Sequence, residues 1–184
     1  RQEKKPDEAI TDYCSGLAIV TQLADAAATA NTLAKLAEAY RGSGQDAETV
    51  AAYSTAASLY EGEGLFDNGA NILAALGRHH RSAKQPSQAI ESFSIAIDLL
   101  EALSADEKKA GVLTQIAEAY REAKDDANAV ASFAEAVAIY TALDNASSLA
   151  GTLEAYARYV SSVERYEQAV ALNQVALALR RTLG

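Results

Sequence analysis

The feature that most constrains the fold is an internal repeat of 40 residues, which runs along the 184-residue chain without an insertion. One pattern places two apolar residues three apart, a small residue next, and a bulky residue three positions further on. It begins at Leu33 and returns at Leu73, Leu113 and Leu153. A second pattern in the same register carries an aromatic residue at Tyr13, Tyr53, Phe93 and Phe133. Because a repeat of this length sets the architecture of the whole chain, it takes precedence over local patterns.

Both patterns predict helices, because apolar residues three and four apart lie along one stripe of an α-helix. Each repeat is predicted to be an antiparallel pair, helix A then helix B, in which small residues such as Ala37 and Ala117 let a neighbouring helix approach. Pro86 falls at the start of a helix B, where its missing N–H is tolerated. Turns are expected within the pairs at 42–44, 84–86, 124–126 and 163–165, and between them at 61–64, 104–106 and 144–148.

The predicted fold class is all-α, a right-handed α-solenoid of antiparallel helix pairs that forms one domain over residues 1–184. Its segments are a half repeat at 1–29 and repeats at 30–69, 70–109, 110–149 and 150–184. The half repeat lacks a helix A, no capping helix follows the last repeat, and Met is absent, so we expect a piece of a longer chain. Uncovered array ends also predict that two copies of the chain could pair as a homodimer.

Composition excludes several classes of partner. Sixteen Lys and Arg against 25 Asp and Glu give a net charge of −9, whereas nucleic acid binding needs clustered basic residues. No apolar run approaches the roughly 18 residues of a spanning helix and no signal peptide is recognisable, so we expect no membrane partner and a cytoplasmic location. The single cysteine, Cys14, excludes an internal disulfide and is interpreted as a buried structural thiol.

The motifs of enzymes and metal sites are missing from the sequence. His79 and His80 are adjacent, so on a helix they point about 100° apart and cannot share a metal as an i, i+4 pair does. His80 is interpreted as a packed core residue. The glycines of Gly62-x-Gly64 are interpreted as a turn, because no strand precedes them as in a dinucleotide site. We therefore expect no enzyme, no cofactor and no metal.

A family resemblance rests on the residues that recur in register, which in the third repeat are Leu113, Ile116, Ala117, Tyr120, Ala129, Phe133 and Ala136. This pattern resembles the tetratricopeptide repeat (TPR) family over nearly the whole chain. It departs from the family in having Leu in place of the first Trp, in lacking the closing Pro, and in its longer unit. Units of this length resemble those of kinesin light chain, of the soluble NSF attachment proteins and of bacterial signalling-ATPase sensor arrays.

The resemblance implies a protein-binding or peptide-binding scaffold whose A helices line a concave groove. The groove positions that it implies are Asn31, Ala34, Glu38, Arg41, Asn71, Ala74, Arg78, Arg81, Gly111, Thr114, Glu118, Arg121, Gly151, Glu154, Arg158 and Ser161. Five Arg against three Glu make this set more basic than the protein around it. The expected partner is a protein or peptide with an acidic or C-terminal carboxylate segment, which Arg side chains would bind as forks.

Three alternatives remain open from the sequence. The charged column that alternates in sign, made of Glu38, Arg78, Glu118 and Arg158, is either a ladder of ion pairs between repeats or a set of ligand contacts. The array is alternatively a sensor that binds a small ligand or signal peptide and controls an effector domain outside this sequence. A pocket lined by both Tyr and Arg would favour that function. The third alternative is an oligomerisation scaffold.

Overall fold

The chain folds as a series of nearly identical helices, seen in a computed structural model that describes residues 6–183. Eight helices have 17 residues, the last has 18, and successive helices begin 20 residues apart. They are α1 (Pro6–Gln22), α2 (Ala26–Gly42), α3 (Asp46–Gly62), α4 (Phe66–Ser82), α5 (Pro86–Ala102), α6 (Asp106–Glu122), α7 (Asp126–Ala142), α8 (Ala146–Ser162) and α9 (Tyr166–Leu183). No strand occurs within these residues, and the predicted all-α class of helix pairs is confirmed.

The predicted turn positions are also confirmed, and Pro86 is the first residue of α5 as expected. Helices α2, α4, α6 and α8 are the A helices, and α1, α3, α5, α7 and α9 are the B helices. Residues 1–5 of the predicted half repeat and Gly184 of the last repeat lie outside the described residues.

The chain divides into two compact units, which we call the N-terminal unit, residues 1–84, and the C-terminal unit, residues 85–184. In the N-terminal unit each helix from α1 to α4 packs on the next one along the chain. The C-terminal unit continues the same arrangement from α5 to α9, and its A helices α6 and α8 also contact each other. Because three-residue turns join the helices within each unit, consecutive helices run antiparallel. One domain over 1–184 stays a prediction.

The core of each unit follows the two sequence patterns. In the N-terminal unit the small residue Ala37 lies against Tyr53, and in the C-terminal unit Ala117 lies in one cluster with Phe133. Small residues on A helices therefore face aromatic residues on B helices, as the spacing predicts. Phe133 also stacks on Tyr156 with the ring centroids 5.1 Å apart. The first leucine of the pattern is buried in three copies and half-buried at Leu33.

The turns between helices share one backbone conformation. The middle residue of every turn has a positive φ, between 50° and 73°, at Ala24, Gly44, Gly64, Lys84, Ser104, Lys124, Asp144 and Glu164. At Gly44 the N–H donates to the carbonyl of Arg41 at 3.2 Å, and the next N–H, of Gln45, donates to the carbonyl of Tyr40 at 2.9 Å. This is the Schellman pattern, which satisfies the last carbonyls of a helix and ends it.

The interpretation of Cys14 as a buried thiol is wrong, because the residue is exposed. Cys14 follows the aromatic position Tyr13 by one residue, which turns its side chain about 100° away from the helix stripe that packs. The residues at the same register position, Ser54 and Ala134, are exposed as well. The repeat register therefore contained the signal that the thiol faces outward.

Candidate functional site

A cleft of about 320 Å³ opens between the two A helices of the N-terminal unit, α2 and α4, above the helix B that joins them. Three of its lining side chains belong to the predicted groove set and are charged, namely Glu38, Arg41 and Arg78. The others are Tyr53, Ala75, His79 and Ser82. We call this site the N-terminal cleft.

The carboxylate of Glu38 is held at the centre of the N-terminal cleft by two neighbours. The Arg41 guanidinium, one turn along α2, donates to one of its oxygens from Nη2 at 2.6 Å and from Nε at 3.0 Å. The Tyr53 hydroxyl, on α3, donates to the other oxygen. Burial alone would raise the pKa of Glu38, but these hydrogen bonds and the charges of Arg41 and Arg78 outweigh it and lower the pKa below its ordinary value. Glu38 is therefore ionised at neutral pH.

His79 forms part of the wall of the N-terminal cleft. Its side chain is 4% exposed, and its Nε2 lies 3.8 Å from an oxygen of Asp46, the first residue of α3. Its Nδ1 is buried and has no hydrogen-bond partner among the described residues. Burial lowers the pKa of His79, and the charge of Asp46, which favours the protonated ring, does not reverse this direction. The ring is therefore neutral at pH 7.

A second cleft of about 300 Å³ lies beside the first, nearer the start of α2 and α4. Here the lining is richer in amides than in charges, with Asn31, Asn68 and Asn71 beside Lys35. The Tyr60 hydroxyl donates to Oδ1 of Asn31 at 2.7 Å. Asn31 and Asn71, two further members of the predicted set, therefore face a common space.

The C-terminal unit contains a cleft of about 190 Å³ between its A helices α6 and α8, which we call the C-terminal cleft. Its lining residues are Glu118, Arg121, Arg158, Tyr159 and Ser162. Arg121 donates from Nε to Glu118 at 2.9 Å. Arg158 is exposed, and it forms no ion pair within residues 6–183.

Tyr159 anchors the wall of the C-terminal cleft to α7. Its hydroxyl donates to Oδ1 of Asp126 at 2.9 Å, and Asp126 is the first residue of α7. Burial first, and then this hydrogen bond to a carboxylate, raises the pKa of Tyr159 to about 12. Tyr159 therefore remains a neutral hydrogen-bond donor throughout the physiological pH range.

Three residues of the predicted set do not line these clefts. The Thr114 hydroxyl donates to the carbonyl of Ala110 at 3.0 Å and lies 3.3 Å from the Thr152 hydroxyl. Glu154 accepts a hydrogen bond from Arg180 of α9 at 3.1 Å, and that arginine lowers its pKa. Arg81 is half-buried and does not contribute to any of the three linings.

Several lining residues were missed from the sequence, namely Lys35, Tyr53, Tyr60, Asn68, His79, Ser82, Tyr159 and Ser162. The predicted set was taken from A helices alone, so the two tyrosines of α3 were outside it. Ser82 could have been found, because it lies four residues after Arg78 and therefore on the same helix face.

The described residues hold no group of three or more His, Cys, Asp or Glu that could bind a metal ion. Searched over the same part of the chain, no helix combines the length and apolarity that a membrane crossing requires.

Solved structures with similar folds are built of TPR-like repeats. BtubC (BKLC) from P. vanneervenii superposes with a TM-score of 0.81 at 17% sequence identity, over 99% of this chain and 76% of that one. A kinesin light chain candidate from Podosopora anserina with nearly identical TPR-like repeats gives a TM-score of 0.80 at 18% identity, over 97% and 88% of the two chains. MamA gives a TM-score of 0.66 at 15% identity, over 99% and 98%. These similarities confirm the TPR-like fold.

The sequence itself also matches a family. No curated protein matches the chain. The family model for soluble NSF attachment protein, SNAP, matches residues 1–112, which is more than half of the sequence. Proteins with TPR-like repeats generally act as protein-interaction scaffolds and are typically not enzymes. The chain belongs to the soluble NSF attachment protein family, whose TPR-like repeats the sequence pattern had already indicated.

Proposed function

We propose that the A-helix face of this protein binds a partner protein or peptide through an acidic segment. One observation carries the proposal. In each compact unit, one Glu and two Arg from neighbouring A helices line a common cleft, as Glu38, Arg41 and Arg78 do in the first. Guanidinium groups bind carboxylates through two parallel hydrogen bonds, so two Arg in one cleft favour an acidic ligand.

Charge supports the same partner. The predicted groove residues carry five Arg and three Glu in a protein of net charge −9. A locally basic face on an acidic protein would direct an acidic segment to that face, because the remaining surface repels it. The ion pairs inside the clefts do not oppose this proposal, since an exposed pair contributes only about 0–1 kcal/mol and its Arg is easily transferred to a ligand.

Cleft size favours a peptide over a small metabolite. The N-terminal cleft has both Tyr and Arg in its lining, which is the feature expected of a small-ligand sensor. However, small-molecule sites typically enclose about 300–1,000 Å³ and cover most of the ligand. Clefts of about 320 and 190 Å³ suit single side chains of a longer ligand.

Charge reversal on the A helices tests the proposal. In the variant Arg81→Glu plus Arg121→Glu, acidic peptides selected from a displayed library by the wild-type chain should bind at least tenfold more weakly, because attraction is replaced by repulsion. The matched control is Lys84→Glu plus Lys124→Glu, which changes net charge equally in the turns three residues further on. Equal loss in both variants, or no loss in the first, would reject the proposed face. Circular dichroism verifies that both variants remain helical.

A further inference from the structure

The two clefts consist of the same residues displaced by 80 positions. Adding 80 to Glu38, Arg41, Arg78 and Ser82 gives Glu118, Arg121, Arg158 and Ser162, and every one of these lines the C-terminal cleft. A shift of 40 does not preserve the set, because it replaces Glu38 by Arg78 and Ser82 by Glu122. The cleft is therefore a feature of every second repeat, which is a longer period than the packing requires.

The geometry is duplicated as well as the residues. In both clefts an Arg three residues after the Glu donates to it from Nε, at 3.0 Å for Arg41 and 2.9 Å for Arg121. In both, the serine hydroxyl donates to the carbonyl three residues earlier, at 2.7 Å for Ser82 and 2.6 Å for Ser162. The second Arg of each cleft is exposed and lies on the following A helix.

We infer that the chain holds two equivalent carboxylate-binding sites, one in the N-terminal cleft and one in the C-terminal cleft. In each, the internal Glu occupies the first Arg until an acidic side chain of the ligand replaces it and binds both Arg. This inference rests on the proposed function, of which it specifies the number and the chemistry of the sites.

The observations favour a carboxylate over other anions. The two Arg of each cleft already face one carboxylate, that of Glu38 or Glu118, so the space between them accommodates a group of that size and charge. In the C-terminal cleft Arg158 has no carboxylate partner within residues 6–183 and presents an available fork. Both serine hydroxyls already donate to backbone carbonyls, which leaves the guanidinium groups as the charged donors of the site.

The test uses the full chain and an acetylated, amidated five-residue peptide of Gly and Ser with one central Glu. Titration is followed by amide signals in two-dimensional NMR, which suits a chain of 19.3 kDa. We expect signals at 38–41 and 78–82, and independently at 118–121 and 158–162, to shift with added peptide. The same peptide with Gln in the centre should shift neither group. A Gln peptide with a free C-terminal carboxylate distinguishes a terminal carboxylate from a side-chain one as the ligand.

Single variants assign each response to its own cleft. Arg78→Gln should weaken binding at the N-terminal cleft about tenfold or more and leave the C-terminal cleft unchanged, and Arg158→Gln should do the reverse, because each removes one charge-assisted fork. Lys84→Gln and Lys124→Gln remove the same charge outside both clefts and serve as controls. Glu38→Gln still accepts the Tyr53 hydrogen bond but releases Arg41, so it should tighten peptide binding at the N-terminal cleft severalfold. Glu63→Gln, outside the clefts, should not.

The possible outcomes separate this inference from the proposed function. Response of neither cleft to the Glu peptide, response of one cleft only, or equal response to the Gln peptide would overturn the twin sites. If charge reversal on the A helices still weakens selected acidic peptides in that case, the proposed binding face stands and only the mode of binding is wrong. If charge reversal also has no effect, both fail.

Discussion

At the scale of single residues, the two clefts differ most at the position that contacts the following helix B. Tyr159 reaches Asp126 with a hydrogen bond of 2.9 Å, whereas the shorter His79 leaves its Nε2 3.8 Å from the equivalent Asp46. A distance of 3.8 Å is too long for a hydrogen bond. The N-terminal unit therefore has a buried titratable ring where the C-terminal unit has a satisfied phenol.

Protonation of His79 makes the stability of the protein depend on pH. Burial lowers its pKa in the folded chain, so the unfolded chain binds the proton more tightly. Its contribution to stability is complete above the unfolded pKa of about 6.5 and is lost as pH falls through that value toward the folded pKa. In urea titrations between pH 7.5 and 5.5, His79→Tyr should lose less stability than the wild type.

The control for this experiment is His80→Tyr, which introduces the residue found at Tyr40 and Tyr120 and leaves His79 in place. It should retain the pH-dependent loss that His79 causes. Equal pH dependence in the two variants would show that His79 is not its source.

A second residue-scale prediction concerns the small position of helix A. Ala117 is fully buried in the cluster that contains Phe133 and Tyr156. Ala117→Trp should destabilise the chain by about 1–3 kcal/mol or more, because a packed core cannot accept a large ring without displacing its neighbours. The control, Ala131→Trp, places the same ring at an exposed position of α7. Thermal melts that coincide for the two variants would contradict the packing argument.

At the scale of elements, the turns determine where each helix stops. All eight middle residues have positive φ, but only Gly44 and Gly64 are glycines, so six turns hold a side chain in a conformation that disfavours it. The fold requires this conformation at every turn, since the Schellman hydrogen bonds depend on it. Packing of the helices on both sides compensates for the local cost.

Two glycines of one turn should respond in opposite directions to the same substitution. Gly64 has a φ of +70°, so Gly64→Ala should destabilise by about 1–2 kcal/mol. Gly62 ends α3 in helical conformation, so Gly62→Ala should stabilise by about 0.5–1 kcal/mol. An added Cβ meets no atom within 4 Å at either site, so the contrast isolates the backbone. Chemical denaturation measures both, and shifts of equal sign would refute the argument.

At the scale of the whole molecule, the sequence predicted the architecture far better than the clefts. Repeated spacing at Leu113, Ala117 and Phe133 predicts helices and their packed faces, because burial of a helix stripe depends on periodicity alone. Turn positions follow from the same register. The cleft linings depend on which side chains meet across helices, as Tyr53 meets Glu38, and spacing along one helix cannot reveal such contacts.

The twofold difference between the packing period and the cleft period has an evolutionary consequence. Any duplication or loss of 40 residues keeps small and aromatic positions matched, so such an event preserves the hydrophobic core. It nevertheless exchanges acidic for basic residues downstream of the junction, because the charges have the opposite sign in alternate copies, as at Glu38 and Arg78. Descendants that retain this charge arrangement should therefore have gained or lost copies in even numbers, and lineages with an odd change should bear compensating charge reversals.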